Sequence, residues 1–292
     1  MAVLEPLKSG YYVWHYLPSI PAAAIFAVLF ALSIVLLSIK MFRTKTYFVI
    51  PLLIGVILEC IGYIFRIISH DRTSVLLPFI IQSIFLLVAP ALYAASIYMV
   101  LGRLIRLLRA ESYSLIAPRW MTKIFVAGDV FSFLVQSSGG GLMASANADS
   151  AKMGNNLIIA GLVIQIVLFG FFAVSAGVFH LRIRGADHPA KWEVEVKWER
   201  LLGMLYLASA CILVRSVFRL IEYVQGQDGY LLRSEWTLYV FDAVLMWVTT
   251  IIFWWWYPAG ITVSKDEVES GLVRESVPMS TTESSKGYHR TP

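Results

Sequence analysis

Eight charged side chains stand in stretches of sequence that otherwise look like lipid. Glu59, Arg66, Asp129, Arg215, Arg219, Glu222 and Asp242 lie well inside apolar runs, and Glu235 lies at the edge of one. An ionisable group at the centre of a membrane helix costs a few kcal/mol, so each needs a partner, a wet neighbourhood or a function. Carboxylates in such a place can hold an ammonium group, and guanidiniums can hold a phosphate or keep the carboxylates in position. Spacing groups them. Glu59 and Arg66 are seven residues apart, as are Asp129 and Gln136, Arg215 and Glu222, and Glu235 and Asp242. Seven residues is two helical turns to within about 20°, so each pair shares one helix face. Four helices are thus expected to turn a polar stripe inward.

The elements that must carry these stripes are membrane spans. Hydrophobic residues make up 58% of the 292 and charged ones 15%, which excludes an ordinary soluble domain. Seven apolar segments reach bilayer length: Ile20–Ile39, Phe48–Ser69, Leu76–Leu101, Ile124–Ala144, Leu157–Leu181, Leu201–Val224 and Trp236–Tyr257. The segments flanking them hold 1, 3, 1, 5, 1, 5, 1 and 4 Lys or Arg in chain order. That alternation puts the N-terminus outside and the C-terminus in the cytoplasm. The expected fold is therefore all-α: a polytopic membrane protein, a seven-transmembrane-helix bundle. Residues 1–19 form an extracellular segment with no signal peptide, 20–257 the membrane domain, and 258–292 a disordered, Ser/Thr-rich cytoplasmic tail open to phosphorylation. The run from Pro189 to Trp198 reads as a short interfacial helix, and Trp254 to Tyr257 as an interfacial belt.

Depth within the spans suggests partners. Counted from the outer helix ends, Glu59 and Arg215 lie roughly 15 Å deep, Arg219 and Asp242 roughly 8–9 Å, and Arg66 and Glu222 roughly 3–5 Å. One cation and one anion at each level predicts the pairs Arg215–Glu59, Arg219–Asp242 and Arg66–Glu222. Such pairs either do no more than hold the helices in register or also line a polar groove for a headgroup. Asp129, roughly 22 Å from the outer face, has no cation at its level. It either carries a proton, with a proton-coupling role, or faces the cytoplasmic mouth.

Other features refine the picture. Pro90 falls inside the third span, where it should kink the helix and free a carbonyl. Gln82, Gln136 and Gln165 offer contacts between helices, and Gly139-Gly140-Gly141 should unwind the fourth helix. Cys60 and Cys211 sit in apolar runs and suggest no disulfide framework. The sequence has no GxxxxGK[ST] motif for ATP, no lysine deep in a span for a retinal-type Schiff base, and no histidine deep in a helix for zinc. An enzyme, a cofactor and a metal site are not expected. The net charge of +5 belongs to cytoplasmic loops rather than to nucleic-acid binding.

Taken in order, these motifs resemble the fungal RTA-like family, also called lipid-translocating exporters. The resemblance runs from Pro18 to Tyr257. It is carried by Glu59-x-x-Gly62-Tyr63-x-x-Arg66, by Ala89-Pro90 with Tyr93, and by Tyr98-x-x-Leu101-Gly102-Arg103. Asp129 with Gln136, Gly161-x-x-x-Gln165, Arg215-x-x-x-Arg219-x-x-Glu222, Gly226 and Glu235-x-x-x-Tyr239-x-x-Asp242 complete it. The resemblance implies a seven-helix protein, mostly of the plasma membrane, that handles amphiphiles: sphingoid long-chain bases, toxic amphiphiles such as an aminosterol, or porphyrins.

The expected activity is transbilayer movement or export of amphiphilic lipids without an ATPase in this chain. Its candidate polar groove comprises Glu59, Tyr63, Arg66, Asp129, Gln136, Gln165, Arg215, Arg219, Glu222, Glu235, Tyr239 and Asp242. The expected partners are membrane lipids or amphiphilic small molecules, with a partner transporter or a cytoplasmic regulator of the tail also open. A lipid-binding sensor that signals through its tail is the alternative.

Overall fold

The computed structural model describes residues 19–71, 75–143, 148–185, 198–226 and 235–258. They form seven long helices: α1 (Ile20–Thr44), α2 (Ile50–Asp71), α3 (Leu76–Leu107), α4 (Pro118–Met143), α5 (Ala148–Gly185), α6 (Trp198–Val224) and α7 (Glu235–Trp255). No strand occurs among the described residues. The interfacial helix expected near Pro189, the N-terminal segment before Ser19 and the tail beyond Pro258 lie outside them.

Helix ends follow local chemistry. Pro21, in the first turn of α1, lacks a donor that would go unused there anyway. At the other end of α1 Lys45 takes a left-handed backbone (φ 53°) and turns the chain back towards the Met41 carbonyl. Gly226, at φ 72°, does the same after α6, at an angle that glycine adopts without strain. Short 3₁₀ turns at Tyr47–Val49 and Glu111–Tyr113 link α1 to α2 and α3 to α4.

Each helix packs on the next in sequence, and α7 returns to α1, so the seven close into a ring; α3 also reaches across it to α6. The ring has an apolar exterior: Val28, Leu32, Val35 and Phe42 on α1 and Val167, Phe171 and Val174 on α5 are all exposed. Among the described residues six helices are long and apolar enough to cross a bilayer. The seventh, α4, has the length at 26 residues, but its first turns hold Arg119 and Lys123, its middle holds Asp129, and it ends in glycines.

Two expectations about these helices need correction. The fifth span was expected to cover Leu157–Leu181, but α5 runs for 38 residues, about 57 Å, longer than a bilayer with its headgroup layers. The Gly139 stretch does not unwind α4, which continues helically to Met143. Gly139 is instead where α4 and α5 touch backbone to backbone. A Cβ at Gly139 would come within 2.6 Å of the Gly154 carbonyl, and a Cβ at Gly154 within 2.5 Å of the Gly139 carbonyl. Small residues allow the close approach that stabilises helix pairs where no hydrophobic effect drives them together.

α7 contains a feature with no signal in the composition. Between Tyr239 and Val244 it widens into a π-helical segment before resuming α geometry at Leu245. Such segments hold one residue more than a regular helix and concentrate at functional positions. Asp242 lies in this one.

Candidate functional site

All four polar stripes turn inward. Glu59, Arg66, Asp129, Gln136, Arg215, Glu222 and Asp242 are buried, and Glu235 is nearly so. They assemble into two clusters.

The first cluster joins α2, α3, α6 and α7. Arg215 makes an ion pair with Asp242 through Nε and donates from Nη2 to the Leu86 carbonyl at 2.7 Å. Leu86 lies four residues before Pro90, so its carbonyl is the one the proline leaves without an in-helix donor. Nearer the helix ends, Arg66 donates from Nη2 to Glu235 Oε1 at 2.9 Å and from Nε to the Tyr239 hydroxyl at 3.0 Å. That hydroxyl donates to Glu235 Oε1 at 3.1 Å, and the Ser19 N–H donates to the same oxygen at 2.7 Å. Arg219 pairs at 2.7 Å with Glu222, one turn along its own helix.

None of the three pairs predicted from depth forms. Arg215 takes Asp242 rather than Glu59, Arg66 takes Glu235 rather than Glu222, and Arg219 takes Glu222 rather than Asp242. The reason is reach. Measured from the helix ends in the structure, Arg215 lies about 13 Å below Val224 and Asp242 about 10 Å below Glu235, less than one helical pitch apart. An arginine stem covers that difference, so facing direction decides the partner.

The consequence falls on Glu59. It is completely buried, and neither carboxylate oxygen has a hydrogen-bond partner among the described residues. Arg215 and Asp242 are close enough for Glu59 to feel both charges. One turn along, the Tyr63 hydroxyl is likewise buried without a partner. Its ring lies among Phe26, Phe30 and Tyr239, with centroids 5.8, 5.8 and 6.2 Å away.

The second cluster joins α3, α4 and α5. The Tyr98 hydroxyl donates to Asp129 Oδ2 at 3.0 Å, and Phe125, Phe169 and Phe172 surround the Tyr98 ring. Two turns on, Gln136 Nε2 donates to Ser132 Oγ and to Gln165 Oε1, both at 3.0 Å. Ser132 Oγ donates to the Gly161 carbonyl at 2.6 Å. The twelve groove candidates therefore divide: Asp129, Gln136 and Gln165 belong here, and the other nine belong with the charged cluster or on its helices. Tyr98 and Ser132 were not among them. Tyr98 gave one signal, its position within the Tyr98-x-x-Leu101-Gly102-Arg103 motif; Ser132 gave none beyond its place one turn before Gln136.

At the opposite helix ends Lys40 donates to the Trp254 carbonyl and lies over the rings of Trp254 and Tyr257, at 5.0 and 5.2 Å. The Tyr257 hydroxyl meets Thr46. Trp254 and Tyr257, expected from the sequence to lie in an interfacial belt, clamp α1 to α7.

Comparison with known proteins gives this geometry a context. Residues 52–265 match the family model described as RTA1 like protein. The chain is 46% identical over 204 residues to Protein RTM1 of Saccharomyces cerevisiae, covering 70% of this chain and 65% of that one. It is 38% identical over 285 residues to Protoporphyrin uptake protein 1 of the same species, covering 86% and 93%. It is 28% identical over 262 residues to the yeast Sphingoid long-chain base transporter RSB1, covering 75% and 66%. No solved structure matches it.

Proposed function

This chain belongs to the RTA1-like family of fungal membrane proteins, and from that premise we propose that it moves amphiphilic lipids, of the sphingoid long-chain base kind, across a fungal plasma membrane. It does so as a seven-span bundle with its N-terminus outside, α4 crossing as the seventh span among its neighbours, and without an ATPase of its own. The names of two relatives support the reading, since one is a sphingoid base transporter and the other a porphyrin uptake protein.

The observation that carries the reading is Glu59. A buried carboxylate without a partner costs several kcal/mol, and a protein tolerates it where something else completes it. A protonated amine is the natural complement. The amphiphile keeps its tail in hydrocarbon while its ammonium group meets Glu59, and the free Tyr63 hydroxyl meets a headgroup hydroxyl. Arg215 then holds Asp242 out of competition, and only the headgroup has to be shielded from lipid. Arg66, Glu235 and Tyr239 lie along the headgroup's route to the helix ends.

The test is movement of a fluorescent sphingoid base between the leaflets of liposomes containing only the purified protein, with Glu59→Gln alongside. Wild type should accelerate it, and the variant should fall to the protein-free rate while remaining folded. If wild type binds the base without moving it, the protein is a sensor. If Glu59→Gln matches wild type, the headgroup binds elsewhere.

A further inference from the structure

The second cluster has no part in headgroup capture as just described, yet it holds a buried carboxylate near the middle of the bundle. Asp129 lies about 16 Å from the start of α4 and about 21 Å from its end, and it is buried. Its hydrogen-bond partner is a neutral hydroxyl, Tyr98, and no cation pairs with it among the described residues. The sequence leaves little room for one. α3 carries no Asp, Glu, Lys, Arg or His from Leu76 to Gly102, α5 carries none from Met153 to Phe179, and α4 carries only Asp129 from Ile124 to Met143. The titratable group facing Asp129 from α3 is Tyr98. From α5 its surroundings are Leu168, packed on Gly128, and Phe169 and Phe172 around Tyr98.

An ionised carboxylate in such a place is untenable without a countercharge. Glu59 has the Arg215 guanidinium in its neighbourhood and Asp129 has no cation paired with it among the described residues, so the two carboxylates suit different cations. Phe125, Phe169 and Phe172 enclose the Tyr98 ring that reaches Asp129, so the carboxylate sits in apolar surroundings where a proton is the smallest positive charge that can complete it. The hydroxyl and amide ladder of Ser132, Gln136 and Gln165 begins one turn away and runs towards the Gly139 end of α4. The Gln136 Oε1 atom on this ladder is buried and unpartnered, which gives water or a proton a polar face along an otherwise apolar seam.

We propose that Asp129 is a proton-binding site that loads and unloads as the protein works, and that its proton couples amphiphile movement to a pH gradient. Loading turns the carboxylate and one proton into a neutral carboxyl; unloading returns the proton to the opposite face. The coupling rests on the transport reading, whereas proton binding at Asp129 does not.

Two measurements separate them. Infrared difference spectra of the purified protein across a pH titration should show the carbonyl band of a protonated buried carboxyl, absent in Asp129→Asn and shifted in Tyr98→Phe. Liposomes with an imposed pH gradient, loaded with a fluorescent quaternary-ammonium sphingoid analogue whose head carries no proton, test the coupling. Wild type should move the probe several-fold faster down the proton gradient than without it. Asp129→Asn should lose the acceleration, and Asp129→Glu should regain it. An Asp129→Asn protein that responds like wild type overturns the coupling, as does acceleration by a sodium gradient in place of protons. If wild type moves no probe at all, the transport reading and the coupling fail together. The infrared band then decides the proton site by itself, and its absence from wild type overturns that site. Should Asp129→Asn not fold, Asp129→Glu and Tyr98→Phe carry both readouts.

Discussion

Arg215 on α6 donates to the carbonyl of Leu86 on α3, the one backbone acceptor in that helix that Pro90 deprives of its partner. The proline and the arginine therefore form a single device. Pro90 exposes an acceptor in the bundle interior, and Arg215 satisfies it while holding Asp242 of α7.

Replacing Pro90 with alanine should return an N–H to the Leu86 carbonyl and make Arg215 redundant there. A hydrogen bond from a charged group is worth about 1.5–3 kcal/mol, so the loss should loosen the hold on Asp242 without unfolding α3. The expected outcome is a thermal midpoint in detergent close to that of wild type, with sphingoid base movement clearly reduced.

The Arg215–Asp242 pair lends itself to a double-mutant cycle. Arg215→Met alone leaves Asp242 buried and uncompensated, which should cost about 3–5 kcal/mol and show as loss of folded protein on size exclusion. Adding Asp242→Leu should restore folding, because a buried ion pair contributes little net stability over a well-packed apolar pair. If the double variant also restores lipid movement, the pair serves only to hold the fold.

Gly139 and Gly140 are adjacent but should respond differently to alanine. A Cβ at Gly139 meets the Gly154 carbonyl and the Ile158 backbone nitrogen, and backbone does not give way easily. Gly139→Ala should force α4 from α5 at a cost of about 1–3 kcal/mol. A Cβ at Gly140 meets nothing, so Gly140→Ala should leave the thermal midpoint unchanged or slightly raised.

Lys40 tests the clamp at the far end. Lys40→Met removes the donor to the Trp254 carbonyl and a cation from the faces of two rings. The expected loss is about 1–2 kcal/mol, read as a lower midpoint, while Lys40→Arg should retain most of the stability.

The helices, and the direction their polar faces take, were legible because both depend on patterns along one chain. Lipid-length apolar runs locate the spans, and a seven-residue interval keeps Glu59 and Arg66, or Arg215 and Glu222, on one side. Pro90 likewise announced its free carbonyl. Partner choice was not legible, since it depends on rotation between helices, and an arginine stem blurs depth by about one turn. Glu59 lost Arg215 for that reason. The Gly139 stretch misled because a glycine reads alike whether it breaks a helix or lets another helix approach. The π segment around Asp242 left no trace in composition: Tyr-Val-Phe-Asp-Ala-Val could belong to any turn of an ordinary helix.

That segment also bears on how the bundle could work without large movements. A helix carrying one residue too many stores it as a travelling defect, which can be handed from turn to turn at the exchange of a few hydrogen bonds. Each residue it passes swings by about 100° around the helix axis while both ends of α7 stay in place. Glu235 could remain fastened to Arg66, and Trp254 to Lys40, while Asp242 rolls away from Arg215 and back.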